Sequence, residues 1–352
     1  MTRQTNAMAL LLSRGPATAR QMVQTLGLSQ PTISRTLAGM GEQVVRMGSG
    51  PSIQYALRDN RHAFQAVPVY KVNEEGQIHL LGTLMPVRPD GFVMAHADGS
   101  TSHSDGLPWW LWDMRPQGHL GRAFAQTHAA SLGLAANPEH WSDHQVIGAL
   151  LAHGHDTVGQ LMIGETARER FLGMSTPVPV QRSVHYPSLA QSAASGQFHG
   201  SSAGGEQPKF CAYTEHGHVL VKFSGAQDSP VSERWRDLLL AEHLALSVLG
   251  VTSEVFDSAT QRFLEVPRFD RVGPFGRTGV LSLRALDAQF IGKASANWPT
   301  LVGQLALMGH VAANATAQAA RLWAFGILIG NTDMHLGNLS FTRSTVSYTH
   351  LR

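Results

Sequence analysis

"GNTDMHLGNLSF" (330–341) places an Asp, a His and an Asn within six positions, directly after a long apolar stretch. Asp333 and Asn338 stand five apart, the D-x-x-x-x-N spacing of a phosphoryl-transfer catalytic loop. The chemistry accounts for these residue types. A carboxylate accepts the hydrogen bond of an attacking hydroxyl and aligns it, and an amide oxygen is a ligand for magnesium. His335 either holds the loop or contacts phosphate, and an imidazole packed for structure is an equal reading. Because D-x-x-x-x-N is common by chance, its meaning depends on the residues that precede it.

Reading upstream, "AQAARLWAFGILIG" (317–330) is a helix that delivers the chain to the motif. "RFLEVPRFDR" (262–271) reads as a strand running into a linker, where Arg268 and Phe269 would offer backbone groups to an adenine ring. "RWRDLLLAEHLALSVLG" (234–250) is a helix stopped by Gly250. On it Trp235, Leu239, Glu242, Leu246 and Leu249 share one face, so Glu242 interrupts an apolar stripe. A carboxylate there needs a cationic partner to stay charged, and Lys222 on the short strand "HVLVKF" (218–223) is the candidate. A structural ion pair, or a glutamate snorkelling at a domain edge, is the plainer alternative. "GQFHGSSAGGEQPKF" (196–210) is dense in Gly and Ser and lets backbone N–H groups close on phosphate oxygens, although an ordinary surface loop has the same composition. It is neither a Walker A motif nor a Rossmann fingerprint. Glycine-rich loop, strand lysine, helix glutamate and D-x-x-x-x-N come in the order by which protein kinases hold ATP. The candidate ATP contacts are Ser202, Ala203, Gly204, Gly205, Lys209, Lys222, Glu242, Arg268 and Phe269. Asp333 and His335 are the candidate catalytic residues, and Asn338 is the candidate magnesium ligand.

The other end of the chain is different in charge. Up to Arg61 there are seven arginines against Glu42 and Asp59, about +5 in a chain whose formal charge is only +2. "ATARQMVQTLGLSQPTISRTLAGM" (17–40) reads as two helices around a tight turn. Gly27 ends the first, Ser29 caps the second, and Pro31 falls in its first turn, where a missing N–H costs little. Ile33 and Leu37 face inward, leaving Gln30, Thr32, Ser34 and Arg35 outward, residue types suited to a DNA major groove. "QVVRMGSGPSIQYALR" (43–58) alternates about a Gly-Ser-Gly-Pro turn as a hairpin does, so the segment resembles a winged helix-turn-helix domain. A small helical domain for protein contacts is the alternative. Winged helices often read two half-sites, so a homodimer is an expectation.

In the middle, "AVPVYKV" (66–72) and "IHLLGTLMPV" (78–87) look like strands and "HWSDHQVIGALLAHG" (140–154) like a helix. "HGHD" (153–156) has the His-x-His spacing of hydrolase metal sites, but Thr157 comes next where further ligands are needed, so a turn after the helix is expected. "LPWWLWDMRPQG" (107–118) is rich in tryptophan, which reads as core packing. The 18 histidines give no ligand set of workable spacing for a metallohydrolase. No apolar run is long enough to span a bilayer, and the single Cys211 cannot form an internal disulfide, so a cytoplasmic setting is expected.

"SSAGGEQPK", "VLVKF", "AEHLAL", "EVPRFDR" and "GNTDMHLGN" together resemble the HipA family of bacterial Ser/Thr kinases, and "HGHDTVGQLMI" (153–163) resembles that family's N-terminal segment. The resemblance covers nearly all of 62–341 and implies a HipA-like N-terminal region over 62–190 and a two-lobed kinase core over 191–352; with the winged helix-turn-helix over 1–61 the whole is an α+β protein. It further implies ATP- and magnesium-dependent phosphorylation of protein Ser or Thr, toxin behaviour of the toxin–antitoxin kind, and a target in translation such as an aminoacyl-tRNA synthetase. By position Lys222 would contact ATP phosphate, Asp333 would be catalytic and Asn338 a metal ligand, while Ser201 matches the place where relatives autophosphorylate. "AGGEQPK" is one residue longer than the usual pattern. The family also supplies a second magnesium-binding Asp downstream of the catalytic loop, yet after Asp333 there is no Asp or Glu. "TRSTVSYTHLR" (342–352) lacks the apolar periodicity of a returning strand and further helices, so the expectation is a truncated or foreign end, an incomplete large lobe and impaired transfer. The rival expectation is a winged-helix transcription regulator whose kinase-like body binds without catalysis.

Overall fold

The computed structural model describes residues 2–195 and 207–342. Three helices, α1 (Arg3–Leu12), α2 (Ala19–Leu26) and α3 (Gln30–Met40), pack through Met8, Leu12, Met22, Ile33, Leu37 and Met40. Thr18 caps α2 with Gln21 in a reciprocal capping box, and Gly27 closes that helix at φ 64°, where a side chain would be strained. A three-stranded antiparallel sheet in the order β1 (Ala17–Thr18), β3 (Gln54–Leu57), β2 (Val44–Met47) flanks the helices. The expected helix pair and hairpin are therefore present, with one strand more than the alternating pattern suggested.

The hairpin is fastened to the middle of the chain. Val45, Met47 and Ala56 share a core with Met85, Val87 and Val93. At the junction the buried Asp59 carboxylate accepts from Arg61 and is 3.1 Å from Arg88 Nε. Burial pushes its pKa up, but the hydrogen bonds and charge of the two arginines outweigh this and hold it well below the usual carboxylate range.

The middle of the chain forms a five-stranded antiparallel sheet from β4 (Val67–Val72), β5 (Ile78–Val87), β6 (Gly91–His96), β7 (Thr101–Ser104) and β8 (Leu161–Ile163), in the order β7-β6-β5-β4-β8. A 3₁₀ segment at Trp109–Met114, then α4 (Gly118–Leu132) and α5 (Asp143–His153), cover one face, and α6 (Glu165–Leu172) lies on the other. Strand alternation explains both coverings: Val67 and Val69 face the helices, whereas Tyr70 and Val72 face Ala167 and Phe171. Trp110 is in this core, as the tryptophan-rich stretch predicted.

After α7 (Arg182–Ala194) comes a second antiparallel sheet, from β9 (Lys209–Thr214), β10 (Gly217–Phe223), β11 (Glu254–Asp257) and β12 (Arg262–Pro267), in the order β11-β12-β10-β9. The long helix α8 (Pro230–Val248) connects β10 to β11. Two short pairs come next: β13 (Arg271–Val272) with β14 (Gly276–Arg277), and β15 (Val280–Ser282) with β16 (Ser340–Thr342). Between β15 and β16 lie α9 (Leu283–Phe290), α10 (Trp298–Leu307) and α11 (Ala315–Leu328). Leu283, Leu286, Trp298, Leu301, Val302 and Leu305 join the core of the middle sheet, so the last helices and the middle region share one apolar interior. Among the described residues no helix is long and apolar enough to cross a membrane.

Candidate active site

Along β10, Val219, Val221 and Phe223 are buried against Tyr186 and Ala190 of α7, so the intervening Lys222 emerges on the opposite face, toward α8. There Lys222 Nζ meets Glu242 Oε1 at 2.5 Å. The two side chains keep 21% and 32% of their surface, so the pair is reachable from solvent. The apolar stripe around Glu242 is fully buried only at Leu239, while Trp235 lies exposed. Length explains the difference: the 19-residue α8 spans about 28 Å, longer than the ~23 Å of the seven-residue β10. Lys209 is directly opposite Lys222 in the ladder, which places both on one face. The Lys222 ammonium, held by Glu242 and still reachable from solvent, is a donor of the kind that phosphate oxygens accept from.

The 330–338 segment is built by the end of α11. Gly330, at φ 69°, and Asn331 return their N–H groups to Ile327 and Gly326 carbonyls, the paired bonds of a Schellman motif. A Cβ at Gly326 would lie 2.2 Å from Met334 Sδ, so this glycine lets the loop fold down onto the helix. Met334 and the buried Leu336 anchor the loop in the core, which turns Asp333, His335 and Asn338 outward. Asn331 Oδ1 accepts from Asp333 N at 2.9 Å, and Asn338 Nδ2 donates to Asp333 O at 2.6 Å. That second bond engages the Asn338 nitrogen and holds the amide in place. His335 Nδ1 accepts from Gly337 N at 3.0 Å, and its Nε2 is 3.6 Å from Asp333 Oδ1. His335 therefore holds the loop and keeps an exposed edge beside the carboxylate. Asp333 is 76% exposed, which leaves it open to an incoming group.

The structure thus assembles two groups, the Lys222–Glu242 pair, with Lys209 on the same face of the sheet, and Asp333–His335–Asn338. Ser201, Ser202, Ala203, Gly204 and Gly205 lie outside the described residues. Phe269 is exposed after β12. Arg268 is occupied: its N–H goes to His218 O at 2.9 Å, and its guanidinium binds Asp270 at 2.9 and 2.8 Å. Only its carbonyl and the Phe269 backbone remain for a base. Gln30, Ser34 and Arg35 are exposed on α3, and Thr32 is half-buried, its Oγ1 2.9 Å from Ser29 Oγ.

Sequence reasoning missed the charged joint under the β12 turn. Asp270 accepts from Arg268, Arg271 and Gly159 N, and Arg271 also reaches Asp156 at 2.7 Å. Burial raises the Asp270 pKa, but Arg271 and Arg268 more than offset this and bring it to about 2. Arg277, fully buried over Phe171, donates to His155 O, and burial together with the Arg271 charge lowers it to about 9. "HGHD" is thus a turn after α5 whose aspartate pairs with Arg271 of β13 and lies beside Arg277 of β14.

Asp59, His62 and His144 bring three ligand-type atoms within 4.8 Å of one another. The His62 and His144 rings, however, are stacked at 3.5 Å and 13°. Two imidazoles on one ion diverge, with ring centres roughly 5 Å apart for usual bond lengths and angles. Asp59 is moreover held by two arginines, so this cluster is a packed junction.

A fold with a strand lysine paired to a helix glutamate, followed by a helix-delivered Asp-x-x-x-x-Asn loop, defines a class, and sequence comparison agrees with it. Residues 201–351 match the HipA-like C-terminal domain, and residues 63–172 match the YjjJ-like toxin, middle domain. The chain is 38% identical over 346 residues to Toxin YjjJ of Escherichia coli (strain K12), covering 94% of this chain and 78% of that protein. The chain belongs to the HipA-like toxin family.

Proposed function

We propose that this chain is a HipA-type serine/threonine protein kinase, a toxin of the toxin–antitoxin kind, joined to a winged helix-turn-helix domain that binds double-stranded DNA. The observation that carries the catalytic reading is the exposed Asp333, held by Asn331 and Asn338 on a loop pinned through Met334 and Leu336. In this reading Lys222 and Lys209 bind ATP phosphates, and Glu242 sets the position of the Lys222 ammonium. The glycine-rich segment, with Ser202, Ala203, Gly204 and Gly205, covers the phosphates, and Ser201 is its autophosphorylation site. The Arg268 carbonyl and the Phe269 backbone face the adenine. Asp333 accepts the proton of the substrate Ser or Thr hydroxyl as that oxygen bonds the γ-phosphorus, and the bond to the bridging oxygen breaks with ADP leaving.

The donors present fit magnesium. Asn338, exposed and held by its Nδ2 to the Asp333 backbone oxygen, has a hard amide oxygen to offer, and a magnesium site needs only one or two such protein ligands, the rest coming from phosphate and water. Asn338 is the protein ligand that this loop offers, beside the proton-accepting Asp333. Bound magnesium would supply neutralisation of charge on the phosphoryl oxygens.

At the other end, Gln30, Thr32, Ser34 and Arg35 on α3 would read the major groove, and the basic first sixty residues would supply phosphate attraction. A two-fold operator read by a homodimer, a cytoplasmic location and a translation protein such as an aminoacyl-tRNA synthetase as target complete the proposal. Transfer of radiolabel from γ-labelled ATP with magnesium, to the chain itself or to a translation extract, tests it. Asp333-dependent label supports the kinase. Operator binding with no Asp333-dependent label would instead support a DNA-binding regulator with a non-catalytic body.

A further inference from the structure

A groove of about 860 Å³ opens beside the 330–338 loop, bounded by Met334, His335 and Leu336, by Trp323 of α11, and by the turn from Gly292 to Asn297. Arg284, Asp287 and Ala288, one face of α9 at i, i+3 and i+4, form its far wall. The two charged residues on that wall have different fates. Asp287 is buried and turned into the structure: its Oδ1 accepts from Lys293 N at 2.9 Å, and its carbonyl takes the N–H groups of Ile291 and Gly292. It fixes the 291–297 turn. Arg284 is exposed, makes no salt bridge among the described residues, and is drawn only at longer range to Asp113. Its guanidinium carbon is 3.7 Å from where a Cβ on Gly337 would be, so it lies over the backbone between Asp333 and Asn338. A side chain at position 337 would also press within 3.0 Å of His335 Cε1, so glycine there lets the arginine and the imidazole close on the same loop.

We infer that this groove receives the acceptor segment of the protein substrate, and that Arg284 selects segments carrying an acidic residue close to the phosphorylated Ser or Thr. The inference rests on the kinase reading above and adds the acceptor's chemistry to it. An exposed guanidinium with no salt bridge among the described residues, beside the position of an attacking hydroxyl, is neutralised best by a carboxylate that arrives with the substrate, through a forked, charge-assisted contact. Trp323 and the Gly292–Asn297 turn offer an apolar wall and small side chains that accommodate an extended chain.

The test uses the whole chain with two synthetic Ser peptides of one length, one flanked by Glu and the other by Lys, with wild type, Arg284→Ala and Arg284→Glu. Binding is read by fluorescence anisotropy and transfer by label from γ-labelled ATP with magnesium. Arg284 is exposed, and thermal melts check that the variants fold. The expected result is about a tenfold preference of wild type for the Glu peptide in both readouts, lost in Arg284→Ala and reversed in Arg284→Glu, with KM for ATP unchanged. Arg284-dependent peptide binding without any transfer would keep the groove and overturn the kinase reading. Transfer or binding indifferent to the flanks, or a change confined to KM for ATP, would overturn the inference and, in the latter case, assign Arg284 to the nucleotide.

Discussion

The joint under β12 and the loop after α11 are built from the same kinds of side chain and use them in opposite ways. At the joint, Asp270, Arg268 and Arg271 are almost wholly buried, and each charge meets an opposite one within 2.9 Å. On the loop, the ionisable group nearest Asp333 among the described residues is the His335 ring at 3.6 Å, and Asp333 is largely exposed. Charges buried in complete networks hold a fold together, because leaving either partner alone in the interior is costly. Charges on a braced but open loop leave their interactions for an incoming group. The bracing itself is done by neutral groups: the Asn331 and Asn338 amides, the Schellman turn, and Met334 and Leu336 in the core.

The largest separation of the two regions is expected from Asp333→Ala. Phosphoryl transfer should fall about 10²- to 10⁴-fold, the usual cost of losing a positioned proton acceptor, while the melting temperature stays within the scatter of surface substitutions. A parallel loss of stability would remove the distinction. Asp270→Ala should do the reverse at the joint: leaving Arg268 buried without its carboxylate, and Arg271 with Asp156 alone, costs about 3–5 kcal/mol in urea unfolding. Acid should act there too. With its folded pKa brought down to about 2 from an ordinary 3.8, Asp270 contributes stability that is complete above about pH 4 and is lost as pH falls through 2. Unfolding free energies at pH 5 and 2.5 for wild type and Asp270→Asn check the sign, since the difference between them must shrink in acid.

Lys222→Met comes next, a hybrid of the two regions because its ion pair is half open. ATP affinity, measured by calorimetry, should weaken about tenfold, while stability changes by less than about 1 kcal/mol. The smallest effect belongs to the N-terminal helices. Arg35→Ala should weaken binding to an operator fragment several-fold at low salt and reduce the salt slope by about one, as loss of a phosphate contact does. An unchanged slope would move Arg35 off the DNA.

How much could be read in the sequence depends on how local each feature is. The Asp333–Asn338 spacing and the glycine at 330 lie within one turn of chain, and a helix end with a polar motif after it is visible in one dimension. Lys222 and Glu242 are 20 residues apart, yet strand alternation on one side and helical periodicity on the other bring them together. The joint had no such signal: Arg271 and Asp156 are 115 positions apart, and neither lies in a periodic stretch. The same limit hid the packing of Val45 and Met47 on Met85 and Val93, and the closeness of Arg284 to Gly337. Periodicity also overstated the burial of the stripe on α8, because a pattern records which face is apolar but not how far the partner sheet extends.

The most direct test of the central claim is a paired measurement on wild type and Asp333→Asn: transfer of label from γ-labelled ATP with magnesium, beside ATP binding by calorimetry. The account predicts that both proteins bind ATP with similar affinity and that only wild type transfers label. Equal transfer by the two proteins, or no ATP binding by a folded wild type, would contradict it.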